Sequence, residues 1–196
     1  ERFQLERLRR ILRGISIPLV VFGVILSTLH QSSLGSLYLI VPYKLYALWY
    51  TPLLPVFFFL SAVTVGFAMI IFESWHSSRA FRRQLELPLL ASMGRVLAVL
   101  LSAYLTMRFL DLLHRGALRL LLRPRTETYL FLLEAALFIL PMVLLYRRSV
   151  RTDPGRLYAC AVLVIFAFVT NRLNVSVTGM EAGSGFGYVP RWTEVA

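Results

Sequence analysis

The chain has a single cysteine in 196 residues, Cys160, and it lies inside an apolar run. No disulfide can form within the chain. The absence of any CxxC also leaves nothing to hold a zinc ion or an iron–sulfur cluster. A metal centre needed for function must therefore belong to a partner. Charge is scarce as well: 16% of residues are Asp, Glu, Lys or Arg, with 10 acids against 21 bases and a net charge of +11. A soluble domain is excluded, because a folded soluble chain presents a polar exterior and this one is 58% hydrophobic with mean hydropathy +0.69. The basic excess does not imply nucleic acid, since the arginines cluster between apolar runs, where the positive-inside rule accounts for them. No signal peptide precedes the first run and the first residue is Glu1 rather than Met, so the chain reads as part of a longer one.

The apolar runs are continuous rather than alternating, which in lipid means helices. They cover residues 11–29, 52–72, 87–113, 128–146 and 157–173. Each is near the ~20 residues that cross ~30 Å of hydrocarbon. The expected fold is an all-α polytopic transmembrane bundle, one domain over residues 1–196, with Thr51 capping the second helix and Pro52 at its first position. Near the end, Pro190, Trp192, Thr193 and Glu194 read as an interfacial aromatic, an N-cap and a first-turn acid, the start of a sixth helix. Twelve arginines fall on the side of residue 1 and seven cations on the other, which places the residue-1 end in the cytoplasm. The loop 115–125 is a basic exception and reads as an interfacial helix. On the outer side, Tyr38, Tyr43, Tyr46, Trp49 and Tyr50 form an aromatic belt, and glycine-rich residues 179–188 read as an ordered loop.

Polar groups within the runs need a reason, because a charge at the bilayer centre costs ~2.5–3.5 kcal/mol. Arg108 and Asp111 stand one turn apart on one face of the third helix, and Glu134 lies ~9 Å into the fourth. With His30 and Arg172, five ionisable groups from four helices are expected to share the outer half of the membrane. Two readings stay open. Arg108–Asp111 and Glu134–Arg172 are structural ion pairs, or the set is a proton-conducting cluster. Gln31 and Ser33 belong with His30; Glu73 is a secondary candidate at the inner end of the second helix, and Arg95 snorkels. A haem held by His30 and His114 is disfavoured, since His114 sits at a helix end and His76 on the opposite side. No catalytic nucleophile and no metal-ligand set is expected.

The string His30-Gln31-Ser32-Ser33-Leu34-Gly35-Ser36-Leu37, then Lys44, Leu48-Trp49 and Leu53-Leu54-Pro55, resembles the NrfD/PsrC-type polytopic membrane subunits, closest to the HybB, DsrP and Hmc branches. The similarity continues through Gly66-Phe67, Phe72-Glu73, Arg108, Asp111-Leu112, Glu134, Asn171-Arg172-Leu173-Asn174 and Gly187-Tyr188-Val189-Pro190-Arg191-Trp192. The resemblance implies the second bundle of a longer subunit, without haem or iron–sulfur cluster of its own. It also implies electron exchange between menaquinone or ubiquinone and a ferredoxin-like iron–sulfur subunit on the outer face. Further redox subunits of a hydrogenase-like complex of anaerobic respiration, proton translocation, and the cytoplasmic (inner) membrane of a prokaryote follow in the same way. On that reading His30, Gln31, Ser33, Arg108, Asp111, Glu134 and Arg172 are quinone-proximal or relay residues. The rivals are a passive anchor for a peripheral redox enzyme and an ion or solute transporter.

Overall fold

The computed structural model describes the backbone of residues 2–40 and 42–184. Helices α1 (Arg2–Leu37), α2 (Leu54–Ala80), α3 (Leu87–His114), α4 (Thr126–Tyr146), the single turn α5 (Arg148–Arg151), α6 (Pro154–Leu173) and the short α7 (Gly179–Ser184) follow one another, with no strand among the described residues. Five spans are long and apolar enough to cross a membrane. The chain is a multi-pass membrane protein with an all-α bundle, as the continuous apolar runs require.

Helices α2, α3, α4 and α6 form a closed four-helix ring, each packed on its two neighbours, and α1 packs on the outside against α2. In lipid the drive to pack comes from close contact rather than from expelling water, so small residues line the interfaces. Ser61, Thr64, Ala68, Ala98, Ala161 and Ala167 are all buried there. The core is aromatic towards one end: the Tyr104 ring lies 5.6 Å from Phe57, 5.2 Å from Phe138 and 5.4 Å from Phe168. Phe59, Val99, Leu133 and Val169 point outwards, as expected of a lipid-facing surface. Gly35 sets the approach of α1, since a Cβ there would stand 2.8 Å from the Leu54 carbonyl oxygen and from Pro55 Cα.

Three expectations change. The first span does not end at residue 29: the His30–Leu37 string forms the last two turns of α1, because nothing in it breaks a helix before Leu37. Thr51 does not cap α2, which begins at Leu54 with Pro55 in its first turn; the Thr51 hydroxyl instead accepts the Leu53 N–H at 3.1 Å. The last span does not end at residue 173 but continues through a π-helical turn, Asn174–Thr178, into α7, so Gly179–Ser184 is helix rather than loop. The glycines there serve proximity: a Cβ on Gly179 would stand 2.7 Å from Leu45, and one on Gly183 would collide with the Lys44 carbonyl. The helix start expected at Pro190–Glu194 and the string Gly187–Trp192 lie outside the described residues.

Candidate functional site

Glu134 is the hub. Its side chain is 2% exposed, on the α4 stripe Phe131–Glu134–Phe138 that faces the ring interior. Arg108 Nη1 meets Oε1 at 2.8 Å, and Asn171 Nδ2 donates to the same oxygen at 2.8 Å. Trp49 Nε1 donates to Oε2 at 3.0 Å, and Asn174 Nδ2 at 2.8 Å. Four donors from four segments thus converge on one carboxyl group. Asn171 and Asn174 stand three residues apart on one face, where α6 runs on into the π turn, so both reach the carboxyl group. Arg108 donates a further bond to the Tyr104 hydroxyl at 2.9 Å, one turn earlier on the same face of α3, and lies over the Phe131 ring at 5.2 Å. Trp49 is held in place by a backbone that is itself pinned, Tyr46 N donating to the Gly179 carbonyl at 2.8 Å.

Arg172 extends this network sideways. It donates to Asn171 Oδ1 at 3.3 Å, to Gln31 Oε1 at 3.4 Å and to the Ser61 hydroxyl, and its guanidinium sits 3.5 Å from the Phe58 ring centroid. Among the described residues it meets no carboxylate. Arg172 also lines a cleft of about 470 Å³ between α1, α2 and α6, otherwise walled mostly by apolar residues such as Val65, Met69, Ile165 and Phe168, with Gln31 and Ser61 as polar neighbours. A second apolar cleft of about 530 Å³, between α3 and α4, reaches Arg108 and Glu134. Just beyond α1, burial pushes the Tyr38 phenol above its ordinary pKa, partly opposed by the nearby Arg172 cation.

Asp111 forms a separate unit. Arg115 grips Oδ2 through Nε at 2.9 Å and Nη2 at 2.6 Å, while the Thr51 hydroxyl donates to Oδ1 at 2.8 Å. Arg115 Nη1 also donates to the Ala47 carbonyl at 2.9 Å, tying the end of α3 to the segment that carries Trp49.

The expected pairings are therefore exchanged. Arg108 pairs with Glu134 rather than Asp111, Asp111 pairs with Arg115, and Arg172 is left without an anionic partner among the described residues. The reason is directional: Arg108 points back along α3 towards Tyr104, which brings it to α4 instead of to Asp111 further along its own helix. Gln31, Arg108, Glu134 and Arg172 come together. His30 and Ser33 do not join them; both are exposed on α1, and no side-chain hydrogen bond links either to the described residues. Glu73 is exposed at the far end of α2, in a polar cleft with Ser77, Arg83 and Glu86. Trp49, Ser61, Tyr104, Asn171 and Asn174 are members that sequence reasoning did not single out as site residues. The visible signal was the pair of asparagines flanking Arg172 at the end of an apolar run.

No group of three or more His, Cys, Asp or Glu able to hold a metal ion occurs among the described residues. His76 bonds Tyr158 at the opposite end of the bundle, His30 lies on α1, and His114 ends α3.

The family description "Polysulphide reductase, NrfD" matches residues 3–181. Two curated relatives are similar over nearly the whole chain. A probable Ni/Fe-hydrogenase 2 b-type cytochrome subunit of Escherichia coli (strain K12) is 30% identical over 99% of this chain and 49% of its own length. A protein of Nitratidesulfovibrio vulgaris (strain Hildenborough) is 31% identical over 97% of this chain and 51% of its own length. The chain thus spans about half the length of the curated relatives it matches. No solved structure matches it.

Proposed function

The chain belongs to the NrfD polysulphide reductase family, and from that premise we propose that it is the quinone-reactive part of a membrane subunit in a respiratory oxidoreductase complex. It exchanges electrons between the quinone pool and an iron–sulfur partner on the outer face, in the cytoplasmic membrane of a prokaryote. The observation that carries this reading is Arg172, an intramembrane cation without a carboxylate partner among the described residues, lining a lipid-open apolar cleft. An intramembrane charge is costly unless it serves a purpose. Arg108, Glu134 and Arg172 together carry one excess positive charge, and Asp111 with Arg115 adds none.

A quinone matches that surplus. Its isoprenoid tail suits the apolar walls, and its oxygens gain negative character as electrons arrive. Arg172 and the amide of Gln31 can donate to one carbonyl oxygen, and Glu134 keeps Arg108 and Asn171 fixed behind them. Reduction to quinol takes two electrons, supplied by the partner, and two protons. His30 is one residue from Gln31 on α1, exposed, and imidazole is the side chain best suited to exchange protons near neutral pH. Asp111 offers a second carboxylate near the network. The hydrogenase relative is named a b-type cytochrome subunit, yet the histidine placement here supports a chain that holds no haem between its own helices.

The test is quinone-linked turnover of the assembled complex carrying Gln31→Leu, His30→Ala or Arg172→Gln, compared with turnover to a water-soluble dye taken at the peripheral subunits. The expected result is at least a roughly tenfold loss of the quinone reaction, ~1.4 kcal/mol of barrier, with dye turnover unchanged. Wild-type quinone rates in all three variants would leave a passive anchor as the better description.

A further inference from the structure

The opposite, arginine-rich end of the bundle holds a second feature that the quinone reading does not use. A cleft of about 500 Å³ opens where α3 begins and α5 turns, lined by Leu87, Pro88, Ala91, Ser92, Arg95, Arg148, Arg151 and Thr152. Three of these eight are arginines and none is acidic. Their convergence is built by the fold. Gly94 lets α3 approach so closely that a Cβ would stand 2.9 Å from Leu157 and 3.6 Å from the Arg151 stem. Arg151 is anchored, its Nη1 donating to the last carbonyls of α4, at Leu145 and at Tyr146 (3.0 Å). The guanidiniums of Arg95 and Arg148 have no hydrogen bond or ion pair among the described residues, and both residues are exposed. Arg95 is eight residues into α3, ~12 Å from its start, so its charge lies well within the span unless the side chain reaches back to this cleft.

The hydroxyls here are directional. Ser92 donates its only hydroxyl hydrogen to the Leu89 carbonyl at 2.6 Å, and Thr152 donates its own to the Arg148 carbonyl at 3.0 Å. Both oxygens are therefore left as acceptors. A ligand must offer negative oxygens to the guanidiniums, hydroxyl hydrogens to Ser92 and Thr152, and an apolar body to Leu87, Pro88 and Ala91. We propose that this cleft binds the headgroup of an anionic glycerophospholipid whose headgroup carries a free hydroxyl, with Arg95 and Arg148 holding the phosphodiester and Arg151 fixing the field. A choline or other hydroxyl-free zwitterionic headgroup meets the phosphate donors but cannot donate to the two hydroxyl oxygens.

The experiment is lipid retention by the purified complex in mild detergent, read by native mass spectrometry against added phosphatidylglycerol, phosphatidylcholine or glycerol 3-phosphate. In the unaltered complex, phosphatidylglycerol must be retained several-fold more than phosphatidylcholine, and glycerol 3-phosphate must not compete at equal concentration. Arg95→Gln/Arg148→Gln is expected to lower phosphatidylglycerol retention about thirtyfold. Arg79→Gln, at the same end but outside the cleft, should change nothing. Equal retention of the two lipids by the unaltered complex, effective competition by glycerol 3-phosphate, or an unchanged double variant would each overturn the assignment. None of these outcomes bears on quinone turnover at the other end.

Discussion

Replacing Glu134 by Gln tests the network where its physics is most exposed. The carboxylate accepts from Arg108 and Asn171 on one oxygen and from Trp49 and Asn174 on the other. A Gln can keep an acceptor on one side only. On the other, its NH2 faces donors; Asn174 can flip its amide, but the Trp49 indole N–H is donor-only and remains unmatched. Losing a neutral interhelical bond in a bilayer costs ~0.6 kcal/mol on average and up to ~1.7 kcal/mol. Leaving the largely buried Arg108 without its counter-ion costs ~3–5 kcal/mol. The orphaned charge therefore dominates, and Glu134→Gln should destabilise the bundle by ~4 kcal/mol against ~1 kcal/mol for Asn171→Ala. Removing both charges together, Arg108→Gln/Glu134→Gln, should recover ~2 kcal/mol of the summed single losses. The assay is helix content of the purified complex through a denaturing-detergent titration. Additive single and double losses, or a Glu134→Gln loss no larger than that of Asn171→Ala, would show that Arg108 is stabilised by something other than Glu134.

Further outcomes follow from the same contacts. Gly35→Val should push α1 off the start of α2 and lower stability by ~1–3 kcal/mol, since the obstructing atoms belong to the Leu54 and Pro55 backbone; a loss under ~0.5 kcal/mol would mean α1 is not seated there. Asp111→Asn keeps the Thr51 bond but loses the grip on Arg115, freeing the Ala47 segment; limited proteolysis within residues 42–53 should accelerate at least about tenfold, as expected for a charge-assisted bond worth ~1.5–3 kcal/mol. His30→Ala/His114→Ala should leave the haem absorbance of the assembled complex unchanged, and bleaching would place an axial ligand in this chain.

The fold was legible because its cause is one-dimensional: long apolar runs in lipid leave helices as the solution, and each run maps on a span. The candidate site was legible in its members more than in its pairings. Arg108, Asp111, Glu134 and Arg172 stood out because each is expensive in an apolar run, but cost does not say which charge neutralises which. That depends on side-chain direction, and Arg108 turning back to Tyr104 changed the partner of both carboxylates. Trp49 stayed hidden for a different reason. Among Tyr43, Tyr46 and Tyr50 it looks like one more interfacial aromatic, and it takes the contacts of Tyr46 with Gly179 and of Ala47 with Arg115 to hold its segment where the indole reaches Glu134. The π turn had no sequence signature beyond Asn174 itself.

Arg172→Met separates a residue that holds helices together from one that serves a ligand. Its bonds to Asn171 and Gln31 are long, 3.3 and 3.4 Å, the one to the Ser61 hydroxyl is short, and its guanidinium lies over the Phe58 ring. Met has similar length and no charge, packs well against an aromatic face, and removes a desolvated cation while giving up the Ser61 bond, so stability should change by less than ~1 kcal/mol. A structural arginine would behave in the opposite way, because deleting one member of a needed pair leaves the other buried and unmatched; here no carboxylate among the described residues is left behind. Quinone-linked turnover should nevertheless fall at least about tenfold, since the cleft would lose its only guanidinium. Full turnover in a stable Arg172→Met complex would show that the surplus charge is not what the quinone meets, and the α3–α4 cleft at Arg108 would become the place to look.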